Sequence, residues 1–179
     1  MIQAFHLYGR ASRALADQSD WLLPTAARLV FAGVLFAYFW ASAGTKLDGI
    51  FTPSTGAYAQ IFPKLFEAVG YDASQLGLWH RLVVLAGAWA EYALPVLIVL
   101  GLFTRLAALG MVGFVLVQSL TDIVGHGAGA GAWFDRASDA LILDQRAFWM
   151  LLFLVLIVKG AGPVSADRLL AKAAPRLAA

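Results

Sequence analysis

The chain has 179 residues, of which 61% are hydrophobic and only 13% charged, about half the charged share of an ordinary soluble domain. With a mean hydropathy of +0.75, this excludes a disordered chain and argues for an integral membrane protein rather than a soluble globule. The net charge of +2 is too small to mark a nucleic-acid partner, and the absence of cysteine excludes disulfides, thiolate metal sites and dithiol chemistry.

Phe5, Leu7, Tyr8 and Leu15 alternate with Arg10 and Arg13, which predicts an amphipathic interfacial helix over 3–17. Leu29–Thr45 follows, 17 residues without a charge, and predicts a first membrane span over about 28–46. Arg28, this apolar run and Ala41-Ser42-Ala43 also fit a cleaved signal peptide, but 28 residues before the run make an unusually long leading region. Leu47–Trp79 then forms an outer connection. Its Tyr58, Ile61, Phe62, Leu65, Phe66 and Val69 lie at helical spacing. Pro63 divides them, so two short helices are expected, the second starting near Pro63 and the pair capping the bundle.

Leu82–Phe103 has 22 residues and one charge, Glu91, predicting a second span over about 81–103. Leu106–Thr121, with Asp122 behind it, predicts a third over about 105–124. A glycine-rich loop comes next, with Gly125, Gly127, Gly129 and Gly131 implying flexibility. Trp133 and Phe134 suggest a return to the interface. Ala147–Val158 is only 12 residues long, so a fourth span must run from about 144 to 160 to reach across a bilayer. Residues 165–177 predict a short tail helix. The expected fold is an all-α, four-helix membrane bundle, one domain over 1–179. Short interfacial helices are expected before the first span, in the first outer loop and after the fourth span.

The side with the termini and the Phe103–Arg105 turn holds Arg10, Arg13, Arg28, Arg105, Lys159, Arg168, Lys172 and Arg176. The other side holds Lys46, Lys64, Arg81, Arg136 and Arg146. This bias places both termini in the cytoplasm of a bacterial inner membrane.

Polar residues in the spans carry the functional signal. Measured at a rise of 1.5 Å per residue from the cytoplasmic edge, Glu91 lies roughly 18 Å up, Gln118 about 20, Ser42 about 21, Asp122 about 26 and Lys46 about 27 Å. Ser42 and Lys46 are spaced i, i+4, and Gln118, Asp122 and His126 are spaced i, i+4, i+8, so each set shares a helix face. Together they predict a polar track from mid-membrane to the outer surface. Glu91, without a base at its own height, is expected to be protonated or reached by Lys46 through water. Trp40 and Trp89 are candidates to stack a flat ligand. His80 and His126 are weak metal candidates; no firm metal site is read. Plainer readings stand beside these: a Lys46–Asp122 ion pair, interhelical hydrogen bonds from Ser42 and Gln118, lipid-facing tryptophans and interface histidines.

Several stretches carry a resemblance. They are Gly44-Thr45-Lys46-Leu47, Ala90-Glu91-Tyr92, Leu100-Gly101-Leu102-Phe103-Thr104-Arg105-Leu106-Ala107-Ala108, His126, and Lys159-Gly160-Ala161-Gly162-Pro163-Val164-Ser165-Ala166-Asp167. From about Arg28 to Leu170 the chain resembles the DoxX family of small bacterial membrane proteins. The resemblance implies a four-helix bundle and a redox setting. Some members are similar to subunits linked to thiosulfate:quinone oxidoreduction, others act with thiol-redox or oxidative-stress partners, and the related methylamine-utilisation branch assists disulfide formation in a partner. The fourth span and its ending resemble DoxX proteins encoded beside metal-peptide maturation enzymes. Without cysteine this chain cannot exchange thiols itself. Physically, Arg105 is expected to cap a helix end and meet lipid phosphate. Gly160, Gly162 and Pro163 should stop the fourth helix, Ser165 should cap the tail helix, and Asp167 should suit its dipole.

Three functional readings follow. The first is a redox accessory subunit, a candidate quinone-linked oxidoreductase component. It would bind a quinone in the outer half of the bundle, with Glu91 and Lys46 as catalytic residues. Trp40, Ser42, Trp89, Gln118, Asp122 and His126 would bind the cofactor, and a periplasmic partner would supply electrons. Haem, a metal and a homo-oligomer stay open. The second is a non-enzymatic anchor or chaperone for a periplasmic redox or metal-handling partner. The third is a small transporter.

Overall fold

The computed structural model describes residues 2–177, with side chains placed for residues 3–173; the side chain of Arg176 lies outside that range. The elements are α1 (Ile2–Asp17), α2 (Ser19–Gly44), β1 (Leu47–Gly49), β2 (Thr52–Pro53), α3 (Thr55–Ile61), α4 (Pro63–Ala68), α5 (Leu78–Leu100), α6 (Thr104–Gly125), α7 (Leu141–Lys159) and α8 (Ala166–Leu177). Four of them, α2, α5, α6 and α7, are long and apolar enough to cross a membrane. They pack in ring order, with α7 closing on the first half of α2 and α5 lying along its second half. The first span starts nine residues before the expected 28, because Trp21, Leu22 and Leu23 extend its apolar surface behind Asp20. A small hairpin, β1 with β2, was not expected from sequence.

Leu29, Val34, Leu106, Leu116, Leu120, Leu151 and Leu154 are exposed on the spans, an apolar surface suited to lipid. The inner face is built at i, i+4 spacing: Ala27, Phe31, Leu35 and Phe39 on α2 meet Ala107, Met111 and Val115 on α6 and Phe153 and Leu156 on α7. With lipid outside, packing rather than water exclusion holds such a core. This dry core fills the half of the bundle nearer the termini. In the other half, α3 and α4 form the expected cap and bury Ala57, Tyr58 and Phe66 against Val84 of α5. The split falls at Pro63, which opens α4. Gly125 lets the cap approach α6, since a Cβ there would stand 2.7 Å from Pro63.

The family-like turn and ending form one joint at the terminal end. Gly101, at φ +68, ends α5 in a Schellman motif: its own N–H donates to Ile98 O (3.0 Å) and that of Leu102 to Leu97 O (2.9 Å). The Asp167 carboxylate does more than suit the dipole of α8. It accepts from the N–H groups of Phe103 (2.7 Å) and Thr104 (3.0 Å), capping α6 from the far end of the chain. Ser165 Oγ accepts from Arg168 N as expected (3.2 Å), and the fourth span ends before Gly160, at φ +78. Arg28 lies level with the terminal ends of α5 and α7. Its guanidinium donates to the carbonyls of Ile98, Val99, Ala161 and Val164, tying α2 to the ends of α5 and α7. Arg105 caps the last turn of α7 through Val158 O (3.2 Å).

Candidate functional site

Above the dry core lies a cavity of about 550 Å³ between α2, α5 and α6, roofed by Gln60 and Ile61 of α3. Its volume falls in the usual range for small-molecule sites, about 300–1,000 Å³. Lys46, Glu91 and Ser42 line one wall. Lys46 Nζ donates to Glu91 Oε2 (2.8 Å) and Oε1 (3.0 Å), to Ser42 Oγ (2.7 Å) and to Ser42 O (3.2 Å). Ser42 Oγ donates to Glu91 Oε1 (3.1 Å). The side chains of Lys46 and Glu91 are 8% and 1% exposed, so each charge is compensated chiefly by the other.

Local sequence explains the arrangement. The chain leaves α2 after Gly44, and Lys46 stands where it turns into the hairpin, held by its own N–H to Ala43 O (3.0 Å) and by Ser54 N to Lys46 O (2.9 Å). From there its long stem runs back along the helix. Glu91 sits four residues before Pro95 on α5. Proline has no N–H, so the Glu91 carbonyl loses its helical donor, and the backbone at the buried acid is left polar.

This corrects two expectations. Glu91 has a base at its own height, in direct contact rather than through water. Asp122 is not the partner of Lys46. It accepts from Arg146 Nη2 of α7 (2.6 Å), while Arg146 Nη1 donates to Ser119 Oγ (2.9 Å) and the guanidinium lies 5.8 Å from the Trp149 ring. A wider π turn over Thr121–Gly125 in α6 and another over Leu141–Gln145 in α7 flank this pair. Such one-turn bulges shift the facing of the residues behind them.

Of the other predicted residues, Gln118, Asp122 and His126 line the cavity. Gln118 Nε2 donates to Tyr38 Oη (3.0 Å), and its buried Oε1 has no partner. His126 Nε2 lies 2.9 Å from Gln60 O and joins α6 to the cap. Trp40 and Trp89 lie outside the lining. Trp40 packs on Phe36 and edge-on to Tyr92 (4.7 Å), and Trp89 Nε1 donates to Ile50 O of the hairpin turn (3.0 Å), both rings half exposed on the lipid side. His80 stands edge-on to Phe62 (5.1 Å), apart from the Gln60 contact of His126. Among the described residues no group of three or more His, Cys, Asp or Glu is placed to hold a metal ion.

Three participants were not anticipated: Tyr38, Arg146 and the Gln60–Ile61 roof. Tyr38 was legible, standing i−4 from Ser42 and i−8 from Lys46 on the same face. Arg146 was legible, because it falls inside the fourth span as drawn over 144–160 and an arginine inside a span needs an acid at its height. Gln60 carries no signal of its own in the sequence.

The fold and site define a four-helix membrane protein with a buried acid–base pair opening on an internal cavity. The DoxX family model matches residues 23–122, and the chain belongs to that family. The match takes in most of the first and third spans and all of the second, with Ser42, Lys46, Glu91 and Gln118; His126, Arg146 and the Lys159–Asp167 ending lie beyond it. Neither the curated proteins nor the solved structures contain a match.

Proposed function

We propose that the protein is a redox accessory subunit of the bacterial inner membrane that binds a quinone in the cavity between α2, α5 and α6. The observation that carries this reading is the Lys46–Glu91–Ser42 cluster, buried in the spans and opening on a largely apolar space of about 550 Å³. A quinone ring needs hydrogen-bond donors at its oxygens and an apolar bed. The Tyr38 hydroxyl and Gln118 amide offer the first, while Ile61, Leu94, Phe114 and Val117 offer the second. When bound, a quinone accepts two electrons and two protons. Glu91 is suited to take up and pass both protons, one at a time, at its carboxylate oxygens, with the Lys46 ammonium balancing the negative charge between transfers. Asp122 and His126 extend polar groups toward the cap. A partner at the outer, periplasmic face supplies the electrons; the basic residues favour the termini on the cytoplasmic side.

The test is protein purified in mild detergent, its organic extract analysed by mass spectrometry. Quinone at near one per chain, falling severalfold in a folded Glu91→Gln variant, supports the reading. A folded wild-type bundle with no quinone overturns it. A second reading, an anchor for a periplasmic protein, draws on the exposed rim of Ile50, Phe51, Trp133 and Phe134. There, deleting residues 126–132 should abolish recovery of the partner in a pull-down, while Glu91→Gln should leave it unchanged.

A further inference from the structure

The cavity has a second pole away from the charged cluster. Ala86, Gly87 and Ala90 of α5 face Gly110, Gly113 and Val117 of α6 across it. We infer that this pole is a lateral slot through which the single alkyl or isoprenoid tail of a lipophilic ligand enters from the bilayer. The inference rests on the reading of the cavity as a ligand site and adds the ligand's class and its route.

Three observations carry it. Ala86, Gly113 and Val117 line the cavity and are also exposed on the outside of the bundle, so wall and outer surface coincide there, as they do at an opening. The width is set by small residues: a Cβ on Gly113 would meet nothing within 4 Å, whereas one on Gly110 would stand 3.0 Å from Leu94. The slot therefore narrows at Gly110 and opens at Gly113. Gly113 lies nine residues into the 22-residue α6, about 14 Å along it, which puts the opening at mid-membrane. The water side is narrowed by Gln60 and Ile61, by the contact of His126 with Gln60 O (2.9 Å) and by the close packing of Gly125 on Pro63, and it is polar, since Gln60 and His126 are themselves exposed there. A ligand dissolved in the bilayer enters on the apolar side instead, its head reaching Glu91 while its tail remains between α5 and α6.

The test uses the full chain in phosphatidylcholine nanodiscs with two probes. The first is a pair of ubiquinones, one with a decyl tail and one without a tail, at concentrations expressed per mole of lipid. The second is a palmitic acid carrying a terminal diazirine, with the label mapped by peptide mass spectrometry. Gly113→Phe fills the slot, and Ala86→Phe fills it from the facing helix should the first variant fail to fold. Gly33→Phe is the control, since Gly33 is exposed on α2, has equally open space and lies off the cavity. The tail should strengthen quinone binding about tenfold or more, and Gly113→Phe should abolish that advantage. Fatty-acid labelling of the Leu94 and Phe114 lining should fall at least about tenfold in Gly113→Phe and stay unchanged in Gly33→Phe. Equal labelling of wild type and Gly113→Phe overturns the slot. Labelling that follows Gly113 while neither quinone binds keeps the slot and removes the quinone reading. Quinones bound equally with and without a tail, and unaffected by Gly113→Phe, keep that reading and remove the slot.

Discussion

Lys46 and Glu91 are each safe in the bundle only because the other is there. All the ammonium's donors are taken by Glu91 and Ser42, so removing either charged partner strands a charge in a low-dielectric interior. Lys46→Ala should lower stability by about 3–5 kcal/mol, the usual cost of breaking a buried pair, seen as a lower unfolding midpoint in detergent. Replacing both, Lys46→Met with Glu91→Leu, should restore most of the loss while ending any proton role. A double variant as unstable as Lys46→Ala would show that the pair is not the source of the effect. The pairing was half legible. Heights along the helices put Lys46 about 9 Å above Glu91, but a lysine at a helix end points back toward the N-terminus by about one turn. Counting from Cα positions alone hid the contact.

At the scale of elements, the joint between the α5–α6 turn and the segment after α7 decides how the spans meet. Gly101 is its tightest point. It combines a left-handed backbone with surroundings that leave no room, because a Cβ would stand 2.6 Å from Ser165 Cβ and 2.8 Å from Arg28 Cζ. Gly77, at the other end of α5, has φ −71 and open space. Gly101→Ala should therefore cost about 1–3 kcal/mol and Gly77→Ala well under 1 kcal/mol, compared by thermal unfolding in one detergent. Motif spacing predicted both the helix stop at Gly160 and the Ser165 cap. It did not predict that Asp167 would cap α6, because the two lie 63 residues apart in the chain and only packing brings them together. The fourth span shows the same limit. Its uncharged run is short because Arg146 interrupts the expected 144–160 span, and only packing shows Asp122 neutralising that charge.

For the whole molecule, the arrangement sorts functions by depth. The terminal half is dry and packed, the opposite half holds the cavity, and the cap lies over it. The absence of cysteine from the sequence makes sidedness simple to measure with single introduced thiols. Phe134→Cys lies fully exposed in the loop between α6 and α7, and Leu15→Cys on exposed α1. In intact spheroplasts, a membrane-impermeant maleimide should label Phe134→Cys. It should reach Leu15→Cys only after permeabilisation. The reverse pattern would invert the proposed topology and move the cavity's capped end to the cytoplasm.

Composition and apolar run length by themselves determined the membrane class, the four spans, the divided cap and the residues on each polar face. These follow from local rules: helix period, bilayer thickness and the stops set by proline and glycine. The partners were decided only by tertiary structure. Lys46 with Glu91, Asp122 with Arg146, and Asp167 with the start of α6 are choices among several charges and donors at similar depths, and rotation and tilt of whole helices select among them. The cavity belongs to the same category, because a void is a property of how faces fail to fill space between helices, and no single segment of the sequence encodes it.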